Sequence, residues 1–215
     1  MADVRRLFST PLAVEMVDDL SLRESLRTAI AAERERDPAG ISVSNLGGWH
    51  SNTAMLAWGG EPARRLAATA VAMAETLTID PKSPAKSRYG WRADMWANVS
   101  RRGHANQYHV HPGSFWSAVF CLDDGYAGSD DPALGGELQL LDPRMPAVRM
   151  AAPDLALRDA DGQMQYSELL IRLRSGLLVM FPSWLQHGVR PFNNDGERIT
   201  VALNLVATSP SSPGG

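Results

Sequence analysis

Three of the five histidines in this 215-residue chain fall in two short stretches. His109 and His111 sit in Tyr108-His109-Val110-His111-Pro112, and His187 closes Phe181-Pro182-Ser183-Trp184-Leu185-Gln186-His187. Residues i and i+2 of a strand point to one face, so His109 and His111 can reach a common point. Imidazole suits iron, zinc, copper and nickel. Two ligands from one strand and a third from a later strand would place a metal centre inside a closed or rolled sheet. The plainer reading is a pair of surface histidines on an edge strand plus one packed histidine. The last strand carries a second signal. Arg198, Thr200, Ala202 and Asn204 share one face, and Ile199, Val201, Leu203 and Leu205 share the other. If the apolar face packs on helices, Arg198 and Thr200 point inward, where an arginine requires an anionic partner. A guanidinium with a hydroxyl two residues on can cradle a carboxylate. The alternative is a rim salt bridge from Arg198 to Glu137, Asp142 or Glu197.

The elements that must position these groups come in two blocks. Residues 4–14 read as an opening strand or extended arm, interrupted by Pro11. Helical spacing of Leu20, Leu22, Leu26 and Ile30 predicts a helix over 18–35. A second helix over 61–77 has Pro62 in its first turn and an apolar stripe of Leu66, Ala70, Met73 and Leu77. Between them, 42–51 has a loop composition with Trp49 as a packing anchor. From Tyr89 the period becomes two: Trp91, Ala93, Met95, Ala97 and Val99 alternate with Arg92, Asp94, Trp96 and Asn98. Further strands are expected around His109 and over 117–122, 137–141, 169–173, 177–181 and 198–206. The stretch 145–165 reads as a long irregular loop, of the kind that forms lids and binding loops. About eight strands after two helices imply an α+β fold, a jelly-roll or barrel-like sheet packed on N-terminal helices. One domain is expected over 1–206, with a helical part at about 12–80, a sheet core at about 88–206 and a disordered tail over 207–215.

The net charge of −3, without long blocks of like charge, gives no signal for nucleic acid or an anionic membrane surface. The lone Cys121 excludes an internal disulfide and fits a reducing cytoplasm; its apolar setting makes it a buried, inert thiol. Neither a signal-peptide core nor a membrane-spanning stretch is expected.

Taken in order, the motifs resemble those of Fe(II)- and 2-oxoglutarate-dependent dioxygenases of the double-stranded β-helix fold. More narrowly, the chain resembles a bacterial and phage 2-oxoglutarate/iron oxygenase family. Four stretches carry the likeness: Ser44-Asn45-Leu46-Gly47-Gly48-Trp49-His50-Ser51, Trp96-Ala97-Asn98, His109-Val110-His111-Pro112-Gly113-Ser114, and Phe181 through His187. Asp142-Pro143-Arg144 and Glu197-Arg198-Ile199-Thr200 also match, so the likeness runs over roughly 4–206. It implies that His109 and His187 bind Fe(II). Arg198, helped by Thr200, would hold the distal carboxylate of 2-oxoglutarate, whose 2-oxo acid end chelates the metal. Asn204 shares the face of Arg198 and would lie near the cosubstrate.

One position departs from most of the superfamily. Where a carboxylate usually follows the first histidine by two residues, this chain has His111. The third ligand is then His111, or Glu137 from elsewhere in the chain, or water. The implied reaction releases succinate and CO2 and hydroxylates an unidentified small-molecule or peptide substrate; no catalytic residue beyond the metal ligands is implied. Trp96, Asn98, Tyr108 and Trp116 are pocket candidates, with access between the 145–165 stretch and the 42–51 loop. A homodimer stays open as an arrangement. A cupin-like metal protein, either an isomerase or a small-molecule binding module, would also use H-x-H and a late histidine. It would leave Arg198 and Thr200 without a job.

Overall fold

Alternating apolar residues from Trp91 to Val99 and from Ile199 to Leu205 build the two longest strands, and these lie side by side. The computed structural model describes residues 8–145, 152, 154–159 and 161–209. Its elements are β1 (Ala13–Met16), α1 (Leu20–Arg36), β2 (Asn45–Leu46), β3 (Trp49–His50), α2 (Met55–Trp58), α3 (Gly60–Leu77), β4 (Gly90–Ser100), β5 (Ala105–His109), β6 (Trp116–Asp123), β7 (Leu138–Leu141), β8 (Glu168–Ile171), β9 (Leu177–Pro182), β10 (His187–Val189) and β11 (Arg198–Thr208). They form a six-stranded sheet in the order β1-β9-β6-β11-β4-β3 and a five-stranded sheet in the order β2-β5-β10-β7-β8. The ladders are antiparallel throughout. This is a double-stranded β-helix with helices on the larger sheet, an α+β fold.

The helices form where the 3.6-residue pattern places them. Asp19 caps α1 by accepting a hydrogen bond from the Leu22 backbone N–H at 2.9 Å. Leu22, Leu26 and Ile30 of α1 and Leu66, Ala70 and Met73 of α3 are buried in one core with Met95, Ala97, Val99, Ile199, Val201, Leu203 and Leu205. A fully buried side chain of this size contributes about 1.5–3 kcal/mol. The helices therefore fix the outer face of β4 and β11, and the pleat turns Asn98, Arg198 and Thr200 to the inside. A second cluster of Cys121, Leu138, Leu140, Leu173, Val179, Phe181 and Leu185 joins the two sheets. Among the described residues, no helix is long and apolar enough to cross a membrane.

Several boundaries differ from the sequence expectation. The first strand occupies only Ala13–Met16, pairing with β9 after Pro11 has removed a donor. The 42–51 loop contains β2 and β3, two-residue strands that pair with β5 and β4. Strand β11 continues to Thr208 because its ladder with β4 runs to Gly90, two residues into the expected tail. Residues 210–215, the rest of that tail, lie outside the described residues, as do 1–7, 146–151, 153 and 160. Of the described part of the 145–165 stretch, residues 157–159 lie antiparallel to residues 163–165. Asp159 N–H donates to Gln163 O at 2.8 Å, and Gln165 N–H donates to Leu157 O at 2.8 Å.

Candidate metal and cosubstrate centre

β5 ends on His109, and β10 begins on His187 directly opposite it. His187 also pairs with Leu140 of β7, so the two histidines sit at one end of the smaller sheet. His111 is not on the strand, as the i, i+2 argument assumed. Pro112 cannot continue a ladder, Gly113 turns at φ +87°, and the His111 backbone N–H donates to Ser183 O at 3.0 Å. The turn still returns its ring to the other two. Ring centroids are 4.9 Å apart for His109–His111, 4.3 Å for His109–His187 and 5.1 Å for His111–His187. One nitrogen from each lies within 4.8 Å of the others.

The tautomers of two of these rings are fixed by their partners. Nδ1 of His109 donates to Gln107 O at 2.7 Å, and Nδ1 of His187 donates to Leu185 O at 2.8 Å. A carbonyl can only accept, so each Nδ1 carries the proton and each Nε2 keeps its lone pair. Burial pushes the pKa of His187 down to about 3 and that of His111 down to about 4, with neighbouring imidazoles adding to the effect. At neutral pH both are uncharged, the form that binds metal. Glu137 is not part of this group; its carboxylate is buried and 3.9 Å from the Arg190 guanidinium.

Deeper in the same cavity lies Arg198, only 3% exposed. None of the acids that could have paired with it does so. Asp142 holds Arg144, Glu197 holds Arg34 and Arg101, and Glu137 faces Arg190. The Arg198 Nε is buried with no partner among the described residues. An isolated buried cation is costly, and its surroundings fit an anionic ligand. Thr200, Asn98, Asn204 and Trp96 line the same cavity. Asn204 Oδ1 accepts from the Ser117 hydroxyl at 2.8 Å, which fixes its carboxamide.

Two pocket candidates are elsewhere. Because His109 faces inward, Tyr108 faces outward; its hydroxyl donates to Glu168 Oε1 at 2.7 Å, and burial with this carboxylate pushes its pKa up to about 12. Trp116 precedes the inward Ser117 and so faces the helices, where its Nε1 donates to Thr78 Oγ1 at 2.8 Å. Conversely, Ser44, Asn106, Ser117 and Phe181 line the cavity without having been singled out. Ser117 is legible only through its cross-strand partner Asn204. Asn106 is reached through a register shift in the β5–β10 ladder.

Three imidazoles and an unpaired guanidinium in one cavity fit a divalent metal and a dicarboxylate. The comparisons with known proteins agree. Residues 94–204 match the family described as "Putative 2OG-Fe(II) oxygenase". No curated protein matches the sequence significantly. Among solved structures, a Trichoplax adhaerens prolyl hydroxylase, in complex with a hypoxia inducible factor peptide fragment, is similar at TM-score 0.62 and 12% identity. That match covers 91% of this chain and 83% of the other. A Pseudomonas putida prolyl-4-hydroxylase is similar at TM-score 0.58 and 16% identity, over 92% and 93%. HygX from Streptomyces hygroscopicus, with nickel, 2-oxoglutarate and hygromycin B bound, is similar at TM-score 0.58 and 14% identity, over 92% and 83%. At these identities the likeness establishes the shared fold. The family match covers just over half of the chain, and the chain belongs to the 2-oxoglutarate- and Fe(II)-dependent oxygenases, an oxidoreductase family with iron as cofactor and 2-oxoglutarate as cosubstrate.

Proposed function

We propose that this oxygenase hydroxylates a small-molecule or peptide substrate, with His109, His111 and His187 as the Fe(II) ligands. The observation that carries the reading is the convergence of three imidazoles beside a buried, unpaired Arg198. Fe(II) and 2-oxoglutarate together supply the O2 chemistry: the cosubstrate becomes succinate and CO2 while a substrate C–H becomes C–OH. The chain's part is to bind and orient. The Gln107 and Leu185 carbonyls hold Nε2 of His109 and His187 ready for the metal. Arg198 grips the distal carboxylate through charge-assisted hydrogen bonds, Thr200 adds its hydroxyl, and Asn204 lies along the same face. Phe181, packed edge-on against His187 at 4.7 Å, keeps water from that side of the centre. Trp96 and Asn98 line the pocket.

Substrate would enter between the 145–165 stretch, whose Leu155, Leu157, Met164 and Tyr166 line a hollow with Asp142 and Arg144, and the 42–51 loop, whose Ser44 lines the histidine cavity. The proposed compartment is the cytoplasm, supported by the single buried and unpaired Cys121. Anaerobic titration tests the centre. Fe(II) and 2-oxoglutarate together should give a weak visible charge-transfer band that neither gives alone. Slow succinate release should require Fe(II), O2 and His187. Succinate formation that persists in His187→Ala would overturn the assignment.

A further inference from the structure

The three histidines are not held alike. His109 and His187 each donate Nδ1–H to the carbonyl two residues back. His111 stands in a turn, and among the described residues its ring has no hydrogen-bond partner but pairs with three other rings, those of His109, His187 and Trp96. Trp96 lies 5.7 Å from it, centroid to centroid, at an interplanar angle of 57°. Trp96 also stacks nearly parallel with His50, at 5.6 Å and 11°. His50 is itself immobilised. It is 5% exposed, it pairs with Asn98 across the β3–β4 ladder, and its Nδ1 donates to Ser51 O at 2.6 Å. Ser51 N–H in turn donates to the carbonyl of Ala97, the residue after Trp96, at 3.0 Å, and Ser51 Oγ accepts from the Ala97 N–H at 3.0 Å. The hairpin carrying His50 depends on Gly47 and Gly48, both at positive φ, where a Cβ on Gly47 would come within 2.6 Å of the His104 ring.

We infer that Trp96, backed by His50, is a positioning residue for His111: a stack of rings orients this histidine where a backbone carbonyl orients the other two. The physical reason is geometric. An aromatic wall restricts the χ angles of an imidazole by exclusion, and an offset or tilted ring pair has a preferred arrangement. A wall that is itself free to swing would restrict little, and the anchored His50 ring removes that freedom. The stack also explains why a ligand can be placed on a turn after a proline has ended the strand. The inference rests on the reading of His111 as a metal ligand, and the test separates the two.

Co(II) serves as the probe metal, titrated into the metal-free full-length protein and followed by its visible absorption. Removing an outer partner of a ligating histidine typically lowers metal affinity about 10–100-fold. Trp96→Leu should show a loss of that order and a Co(II) spectrum shifted toward that of His111→Ala. Trp96→Phe should retain most of the affinity. In a His111→Ala background, Trp96→Leu should cost nothing further. Co(II) should quench part of the indole emission of the unsubstituted protein, and this part should be missing in Trp96→Phe. Should Trp96→Leu fail to fold, His50→Leu leaves the indole in place and should show a smaller loss with the same dependence on His111. Wild-type affinity in Trp96→Leu and His50→Leu, or equal losses with and without His111, would overturn the positioning role while leaving the ligand reading intact. Unchanged affinity and spectrum in His111→Ala would instead remove His111 from the ligand set, and the positioning role with it.

Discussion

The six-stranded sheet rests on two eleven-residue strands, β4 and β11, which pair without a break from Arg198–Ser100 to Thr208–Gly90. No strand of the five-stranded sheet exceeds five residues, and its β5–β10 ladder shifts register between His187 and Val189. The long ladder is clamped by helices on its outer face, so its inward side chains are fixed by the pleat alone. Among the described residues the helices share their core with the larger sheet, and the groups of interest on the short sheet stand at strand ends or beyond them. Thr200 and Asn204 therefore sit within the scaffold and Arg198 at its last ladder pair, beside a register shift between β11 and β6, whereas His109, His111 and His187 sit at the ends of short strands or beyond them.

Substitutions should respect that division. The largest effect is expected at His187, which pairs with both β5 and β7. His187→Ala should abolish measurable Fe(II) binding under anaerobic titration, with the far-UV circular dichroism of the metal-free protein retained. On the scaffold, Leu203→Ala empties a fully buried site and should lower unfolding free energy by about 2–5 kcal/mol in denaturant titrations. The folded variant should bind Fe(II) normally; a parallel loss of metal affinity would break the comparison. Arg198→Ala should weaken 2-oxoglutarate binding by about 1.5–3 kcal/mol, roughly tenfold to a hundredfold, and spare Fe(II). Lysine there should rescue only in part, because it lacks the guanidinium fork.

The smallest effect is expected far from both sites. The Arg88 guanidinium grips Asp80 at 2.7 and 3.0 Å and holds its carboxyl well below the usual range. The folded pKa lies under the unfolded one, so this contribution is complete above about pH 4 and is lost as pH falls through the folded value. Asp80→Asn should lower the Tm modestly at neutral pH, lose that difference in strong acid, and leave metal affinity untouched.

What the sequence displays follows the same division. Alternation in 91–99 and 198–206 announces β4, β11 and the inward face of Arg198, because an unbroken ladder against helices leaves the pleat no choice. The two helices are legible for the same reason. Tyr108 and Trp116 are pocket candidates in the sequence, but each neighbours an inward residue, His109 and Ser117, and the pleat turns both away. The β2 and β3 pairings have no period to read, since two residues cannot alternate. Asn106 enters the cavity through a register shift, which depends on the partner strand. The route of His111, off the strand and back to the centre, is set by Pro112 and by a hydrogen bond to Ser183 seventy-two positions away.

The Arg198 guanidinium, without a partner among the described residues, has a bearing on how long the protein lasts. Burying that charge without a counter-ion works against the folded state, and a dicarboxylate that neutralises it binds the native form and not the unfolded chain. Such a ligand adds about 2.7 kcal/mol to unfolding free energy at a hundred times its Kd. On the proposed reading, the same arginine would make 2-oxoglutarate a folding ligand as well as a reactant. When the cosubstrate is scarce, a larger share of chains would then open to proteases, and the amount of enzyme would fall together with its turnover.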